Sequence, residues 1–200
     1  MSVLRRFGIL APLAALSLAG CGLNSVPTAE ENVNAEFANL QAEYQRRNDL
    51  IGNLVETVKA AAGSEERILT QVTEARARAT SINLTPEQLE DPQAVARYEQ
   101  AQAGLSQARS LLGTMIQERY PQLQSQARFG DLMVALEGTE NRIKTQRRDY
   151  NESVRVYNTT IRTFPDAIGA RIFYGAKPKV PFEAAAGAQE APKVDFGNQG

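Results

Sequence analysis

Between Val33 and Ala79 the apolar residues recur on alternating steps of three and four: Val33, Phe37, Leu40, Tyr44, Ile51, Leu54, Val58, Ala62, Leu69, Val72 and Ala79. Arg47, Glu65 and Arg76 occupy the slots between them. Such spacing keeps one face of a helix apolar over many turns and predicts long helices that pack lengthwise. Thr28, with Pro27 before it and Glu31 three residues later, reads as a capping box that opens the first helix. Asn48, Asp49 and Gly52 interrupt good helix formers. They predict a bend or tight turn over 48–53 that divides the stretch into two helices.

The segment SINLTPEQLEDPQ (81–93) carries two prolines and reads as a connection, with Thr85 before Pro86 or Asp91 before Pro92 able to start the next helix. That helix shows Val95, Tyr98, Leu105, Ala108, Leu112 and Met115, and stops at Tyr120-Pro121. A last helix, over 126–163, has the clearest stripe: Phe129, Leu132, Leu136, Ile143, Tyr150, Val154, Tyr157, Ile161 and Phe164. Arg147 fills one apolar slot of it, and Phe164-Pro165 closes it. No segment alternates with period two for long enough to make a sheet. The expected fold class is all-α, an antiparallel bundle of long helices over 29–165. Residues 166–184 read as an apolar flap on the bundle's end, and 185–200 as a disordered polar, Ala/Gly-rich tail.

The N-terminus changes the picture from shape to place. Residues 1–20 have a signal-peptide layout: Arg5 and Arg6, then an uncharged run from Phe7 to Ala19. That run is shorter than the roughly 20 residues a spanning helix needs. Leu18-Ala19-Gly20-Cys21 resembles the bacterial lipobox, which implies a lipid thioether on Cys21 and makes 21–28 a tether to the membrane. Gly22 rather than Asp after the cysteine points to the outer membrane of a two-membrane bacterium, with the fold facing the periplasm.

Composition then excludes chemistry. There is no histidine and one cysteine, which removes the usual general base, the usual zinc ligands and any internal disulfide. Without Arg5 and Arg6 the 22 basic residues become 20 against 23 acidic ones, a charge of −3 that does not suit nucleic acid. No catalytic residues, metal or cofactor are expected.

Two stretches, YQRRNDLIGNLVETVKAAAGSEERIL (44–69) and LEGTENRIKTQRRDYNESVRVYNTTIRTFP (136–165), resemble the signature blocks of the LemA family of bacterial envelope proteins. The similarity runs from about 33 to 184. The resemblance implies a four-helix up-and-down bundle on an N-terminal membrane anchor, and brings no agreed activity. The chain departs from the family pattern in four places. Gly52 stands where proline is usual and Phe37 where tryptophan is usual. Ala176 follows Gly175 where phenylalanine is usual, and a lipobox replaces the uncleaved transmembrane helix of many relatives.

The remaining candidates for chemistry lie on the seams. Tyr150-Asn151 and Tyr157-Asn158 are seven residues apart, so both pairs share one side of a helix. They read as tyrosines packed in the interface with asparagines bonding across it to fix register, or as the lining of a polar slot for a ligand or partner helix. Arg47 and Arg147 each sit in a seam slot with an aspartate two residues on, Asp49 and Asp149. Buried guanidiniums need partners, and Glu65, Glu140 and Asn141 lie on or beside the same seams. A buried Arg/Glu/Tyr layer is the favoured expectation. An anion site between helices formed by Arg47, Arg147, Tyr150 and Asn151 is the alternative. The functional expectation is a scaffold with an envelope protein as partner, its oligomeric state open.

Overall fold

The apolar seam begins earlier, and runs further, than its spacing predicts. In the computed structural model the backbone is described for residues 3–62 and 67–183, and side chains for 24–60 and 67–183. The side chains of the signal segment and Cys21, together with Glu65 and the tail at 185–200, lie outside the described residues. Helix α1 (Val3–Ala62) is continuous across both predicted interruptions. Thr28 is not a cap: its hydroxyl donates to the Asn24 carbonyl at 2.7 Å, the back-bond of a residue inside a helix. Val26 is fully buried and Ala29 nearly so, in the same cluster as Val33, Phe37 and Leu40. The expected tether is therefore helical and packed from Val26 onward, because Val26 has apolar surface to bury.

The turn expected over 48–53 is absent as well. Ile51, Leu54, Val55 and Val58 are all buried against later helices, so the helix gains more by continuing than Gly52, at about 1 kcal/mol of propensity, costs. Gly52 marks a close approach instead. A β-carbon there would stand 2.9 Å from the Arg76 guanidinium carbon, which lies across α1 from helix α2 (Arg67–Ser81). The chain reverses after Ala62.

Asp91, not Thr85, opens helix α3 (Pro92–Arg119). Its carboxylate accepts from the Gln93 N–H at 2.8 Å, with Pro92 in the first turn where its missing donor is harmless. The Thr85 N–H donates instead to the Gln88 side chain at 3.0 Å, ahead of a 3₁₀ turn at Glu87–Glu90. A second 3₁₀ turn, Pro121–Ser125, leads into helix α4 (Ala127–Thr160). A short helix α5 (Asp166–Gly169) and a π-helical turn (Ala170–Tyr174) follow, ended by Gly175 at φ +57°, a conformation that favours glycine. The described residues contain helices and no strand.

Helix α1 packs along α4, and α2 along α3. The Glu43–Arg142 ion pair at 2.9 Å sets the α1/α4 register. Two apolar clusters result. One joins the first half of α1 to the start of α3 and the second half of α4; the other joins the second half of α1 to α2, the rest of α3 and the start of α4. Helix α2 ends at Ser81 and all its buried residues, Leu69, Val72, Ala75 and Ala79, belong to the second cluster, so another segment closes the first. Residues 176–183, expected as a flap on the end, run along the side as a strap, with Phe182 buried among Phe37, Tyr98 and Tyr150. Val26→Ala should lower stability in urea denaturation by about 2 kcal/mol, the transfer and cavity cost of a buried valine; an unpacked tether would leave stability unchanged.

Candidate functional site

The Tyr-Asn pairs of α4 face the strap, and the asparagines read its backbone. The Asn158 amide donates to the Lys179 carbonyl and accepts from the Lys179 N–H, at 2.8 and 2.9 Å. Asn151 does the same with Phe182, at 2.8 Å in both directions. Seven residues of helix rise ~10.5 Å, and three residues of extended chain advance ~9–10 Å, so a two-turn repeat on one matches a three-residue repeat on the other. Between them the Tyr150 hydroxyl donates to the Val180 carbonyl at 2.9 Å, and the Val180 N–H reaches the Leu89 carbonyl at 2.8 Å. Pro178 and Pro181 have no N–H to satisfy. The asparagines thus fix register as one sequence reading expects, but against an extended segment rather than a helix.

Side chains lock the same strap. Lys179 is buried, with its ammonium 3.0 Å from a Glu30 carboxylate oxygen and over the Tyr157 ring at 5.5 Å. Burial, with Glu30 and Glu90 nearby, pushes the Tyr157 phenol up to about 12. Arg147 donates to Glu99 at 2.7 Å and to the Glu183 carbonyl, and lies over the Phe182 ring. Burial pushes the Glu99 carboxyl up, an effect that the Glu183 N–H and Arg147 oppose. The phenol of Tyr150 is also pushed up by burial, which keeps it a neutral donor.

Arg47 builds a second, separate arrangement at the junction of the two apolar clusters. Its side chain is 2% exposed. One terminal nitrogen donates to Ser106 Oγ at 2.8 Å; the other donates to Gln102 Oε1 at 2.6 Å. Gln102 in turn donates to the Ala79 carbonyl at 3.2 Å, which ties in the end of α2. Glu140 of α4 stands 3.7 Å from Arg47 and 3.5 Å from Arg109. The guanidinium also lies 5.0 Å from the Tyr44 ring centroid. Burial pushes Arg47 down from its ordinary value, and Glu140 opposes that shift. Beside this layer a groove of about 330 Å³ opens between α1, α2 and α3, where the buried Asn48 has an Oδ1 without a hydrogen-bond partner.

The structure therefore divides the predicted residues. Arg47 and Glu140 belong to the buried layer; Arg147, Tyr150, Asn151, Tyr157 and Asn158 belong to the strap. An anion slot shared by Arg47, Arg147, Tyr150 and Asn151 is not formed. The Glu43–Arg142 register separates the two arginines by nine residues, ~13 Å, along the helix axis. Asp49 is exposed and accepts from Gln45, Asp149 accepts from its neighbour Arg148, and Asn141 is exposed. Sequence reasoning missed Gln102, Ser106, Arg109, Glu99 and Lys179. Gln102 was findable, since it fills the slot between Tyr98 and Leu105 on the α3 stripe.

Asn151→Ala should cost about 2–3 kcal/mol in urea denaturation, because it orphans both backbone groups of Phe182. It should also expose 176–183 to limited proteolysis. Asn151→Asp should fail to rescue, since a carboxylate cannot donate to the Phe182 carbonyl. For the buried layer, Gln102→Leu should cost about 3 kcal/mol or more by stranding the Arg47 charge, and adding Arg47→Met should restore most of that loss. A fully additive double variant would show that the two side chains do not act together.

A model of the LemA family matches residues 36–196. Magnetosome proteins MamQ 2 and MamQ 1 of Paramagnetospirillum magneticum are each 27% identical over 160 residues, covering 71% of this chain and 58% of theirs. Magnetosome protein MamQ of Magnetospirillum gryphiswaldense is 27% identical over 158 residues, with the same coverage. The alignment thus spans less than two thirds of these relatives' length. The family match takes in the buried layer, the paired Tyr-Asn motif and the strap alike, and the chain belongs to the LemA family.

Proposed function

We propose that the protein is a non-catalytic scaffold of the bacterial cell envelope. It is a four-helix bundle held by a lipid on Cys21, on the non-cytoplasmic face of the outer membrane where the bacterium has two, and it presents its surface to an envelope protein. The observation that carries this reading is an apolar patch at one end of the fold. Phe164, Ile172 and Phe173 are 75%, 70% and 68% exposed, and Ile168 is exposed beside them. The Glu43–Arg142 register, continued along the antiparallel pair, brings Thr160, the last residue of α4, level with position 25, and the patch follows directly in the chain. An exposed apolar patch at the anchored end suits contact with a lipid surface. Among the described residues no helix is long and apolar enough to cross a membrane.

The polar side chains with the best claim to chemistry favour a structural role. Tyr150, Asn151 and Asn158 hold the strap, and Arg47 joins α1 to α3. The relatives named as magnetosome proteins suit association with a cellular structure rather than with a reaction. In cell fractionation the wild type should sediment with membranes, and Cys21→Ser should move to the soluble fraction. Membrane retention of Cys21→Ser would remove the lipid anchor from this reading. Cross-linking in intact cells should recover a specific envelope protein with the wild type, and recovery of none would count against the scaffold.

A further inference from the structure

The segment that fills the strap groove has a second copy in the sequence. Pro178-Lys179-Val180-Pro181-Phe182 recurs 14 residues later as Pro192-Lys193-Val194-Asp195-Phe196, with one difference, Pro181 against Asp195. The family match ends at Phe196, the last residue of the second copy.

The side chains that recur are those the groove grips. Lys179 is buried against Glu30 and the Tyr157 ring, and the Phe182 ring centroid lies 4.8 Å from that of Tyr150. Asn158, Asn151 and Tyr150 bind only backbone atoms of the strap, so they would accept any chain with this spacing. The one difference falls where the groove opens. Pro181 borders a pocket of about 440 Å³ on the outer side of α4, together with Arg155 and Arg162. An aspartate at that position would stand among two guanidiniums, one of which, Arg155, already pairs with Glu152. It would also bring an N–H that proline lacks, and at a position that borders an open pocket water can meet it.

We propose that the α4 groove is a recognition site for the Pro-Lys-Val-x-Phe motif, and that residues 192–196 of the same chain are a second ligand for it. They replace 178–182 with Asp195 beside Arg155 and Arg162. Loop-closure entropy grows only with the logarithm of loop length, so the 14 added residues after Ile161 oppose the exchange weakly. The fold then has two registers for its C-terminal segment, and each exchange frees the other copy of the motif. This inference rests on the groove and the repeat, independently of the membrane anchor.

The test uses the full chain carrying Cys21→Ser, which removes its one native cysteine. Thr163→Cys, in the pocket wall, is paired with Lys177→Cys to report the first register, or with Ala191→Cys, the equivalent position of the second copy. A short bis-maleimide joins cysteines that lie close. Phe182→Ala weakens the first ligand and should raise the Thr163–Ala191 cross-link several-fold within one chain. Adding Phe196→Ala, or Arg155→Ala with Arg162→Ala, should return it to its starting level. Lys179→Gln serves as the milder lesion if Phe182→Ala does not fold. Absence of the Thr163–Ala191 cross-link in either background, while the Thr163–Lys177 control reacts in the parent, would overturn the proposal. A cross-link formed only between two chains would overturn exchange within one chain.

Discussion

A guanidinium with almost no access to water governs how these helices sit. Arg47 is buried at the boundary between the two apolar clusters, and its acceptors come from α3, with the carboxylate of α4 close by. Moving any of these helices along its axis by one residue, ~1.5 Å, would pull an acceptor out of hydrogen-bond range and leave a charge buried without a partner. Gln102 extends the constraint to α2 through the Ala79 carbonyl. Apolar surfaces would tolerate several registers at similar burial; this layer makes one of them far better than the rest.

Once the register is fixed, the second half of α4 must solve a different problem. Beyond the end of α2 the first cluster lacks a covering helix, and Phe37, Tyr98 and Tyr150 would lie open. The strap fills that gap with an extended chain. An extended chain carries unpaired backbone donors and acceptors, which must be met wherever water is excluded. The two asparagines meet them at two residues, Tyr150 and Leu89 at a third, and the prolines reduce the number of donors. The Tyr-Asn repeat of α4 is thus the counterpart of a three-residue repeat in the strap, a match of helical and extended rise rather than a contact between two helices.

The difference between what the sequence made legible and what it hid follows from this. Periodicity reports which residues of a helix are buried, so the all-helical class, the stripe of α4 as far as Tyr157 and the stop at Tyr120-Pro121 were legible, whereas Phe164, counted in that stripe, lies past the helix end and is exposed. It does not report where a helix ends when burial outweighs local propensity. Pro27 and Gly52 read as punctuation, yet Val26 and Ile51 beside them are fully buried and the helix continues. Likewise Asn151 and Asn158 were recognisable as register-fixing residues, but their partner was not. The strap has no periodicity of its own, and its fit depends on distances set by the rest of the fold. The departures from the family pattern also find their place: Phe37 joins the aromatic cluster directly, and Ala176 is only partly buried at its margin, so the strap is held by Lys179 and Phe182.

The division of labour along the molecule bears on what kind of function such a fold can serve. Its most specific polar contacts, the Arg47 layer and the asparagine ladder, are turned inward and fix shape. Its densest group of exposed apolar side chains is Phe164, Ile168, Ile172 and Phe173, while Leu111, Val134 and Val156 are exposed singly along the helices. Tyr150, Asn151 and Asn158 of α4 are occupied by the chain's own backbone, and the exposed apolar group follows the end of that helix. That distribution fits the scaffold proposed above. Among the described residues the strap is where specific recognition of an extended segment is already built, and a groove that reads backbone spacing can accept another segment of the same spacing.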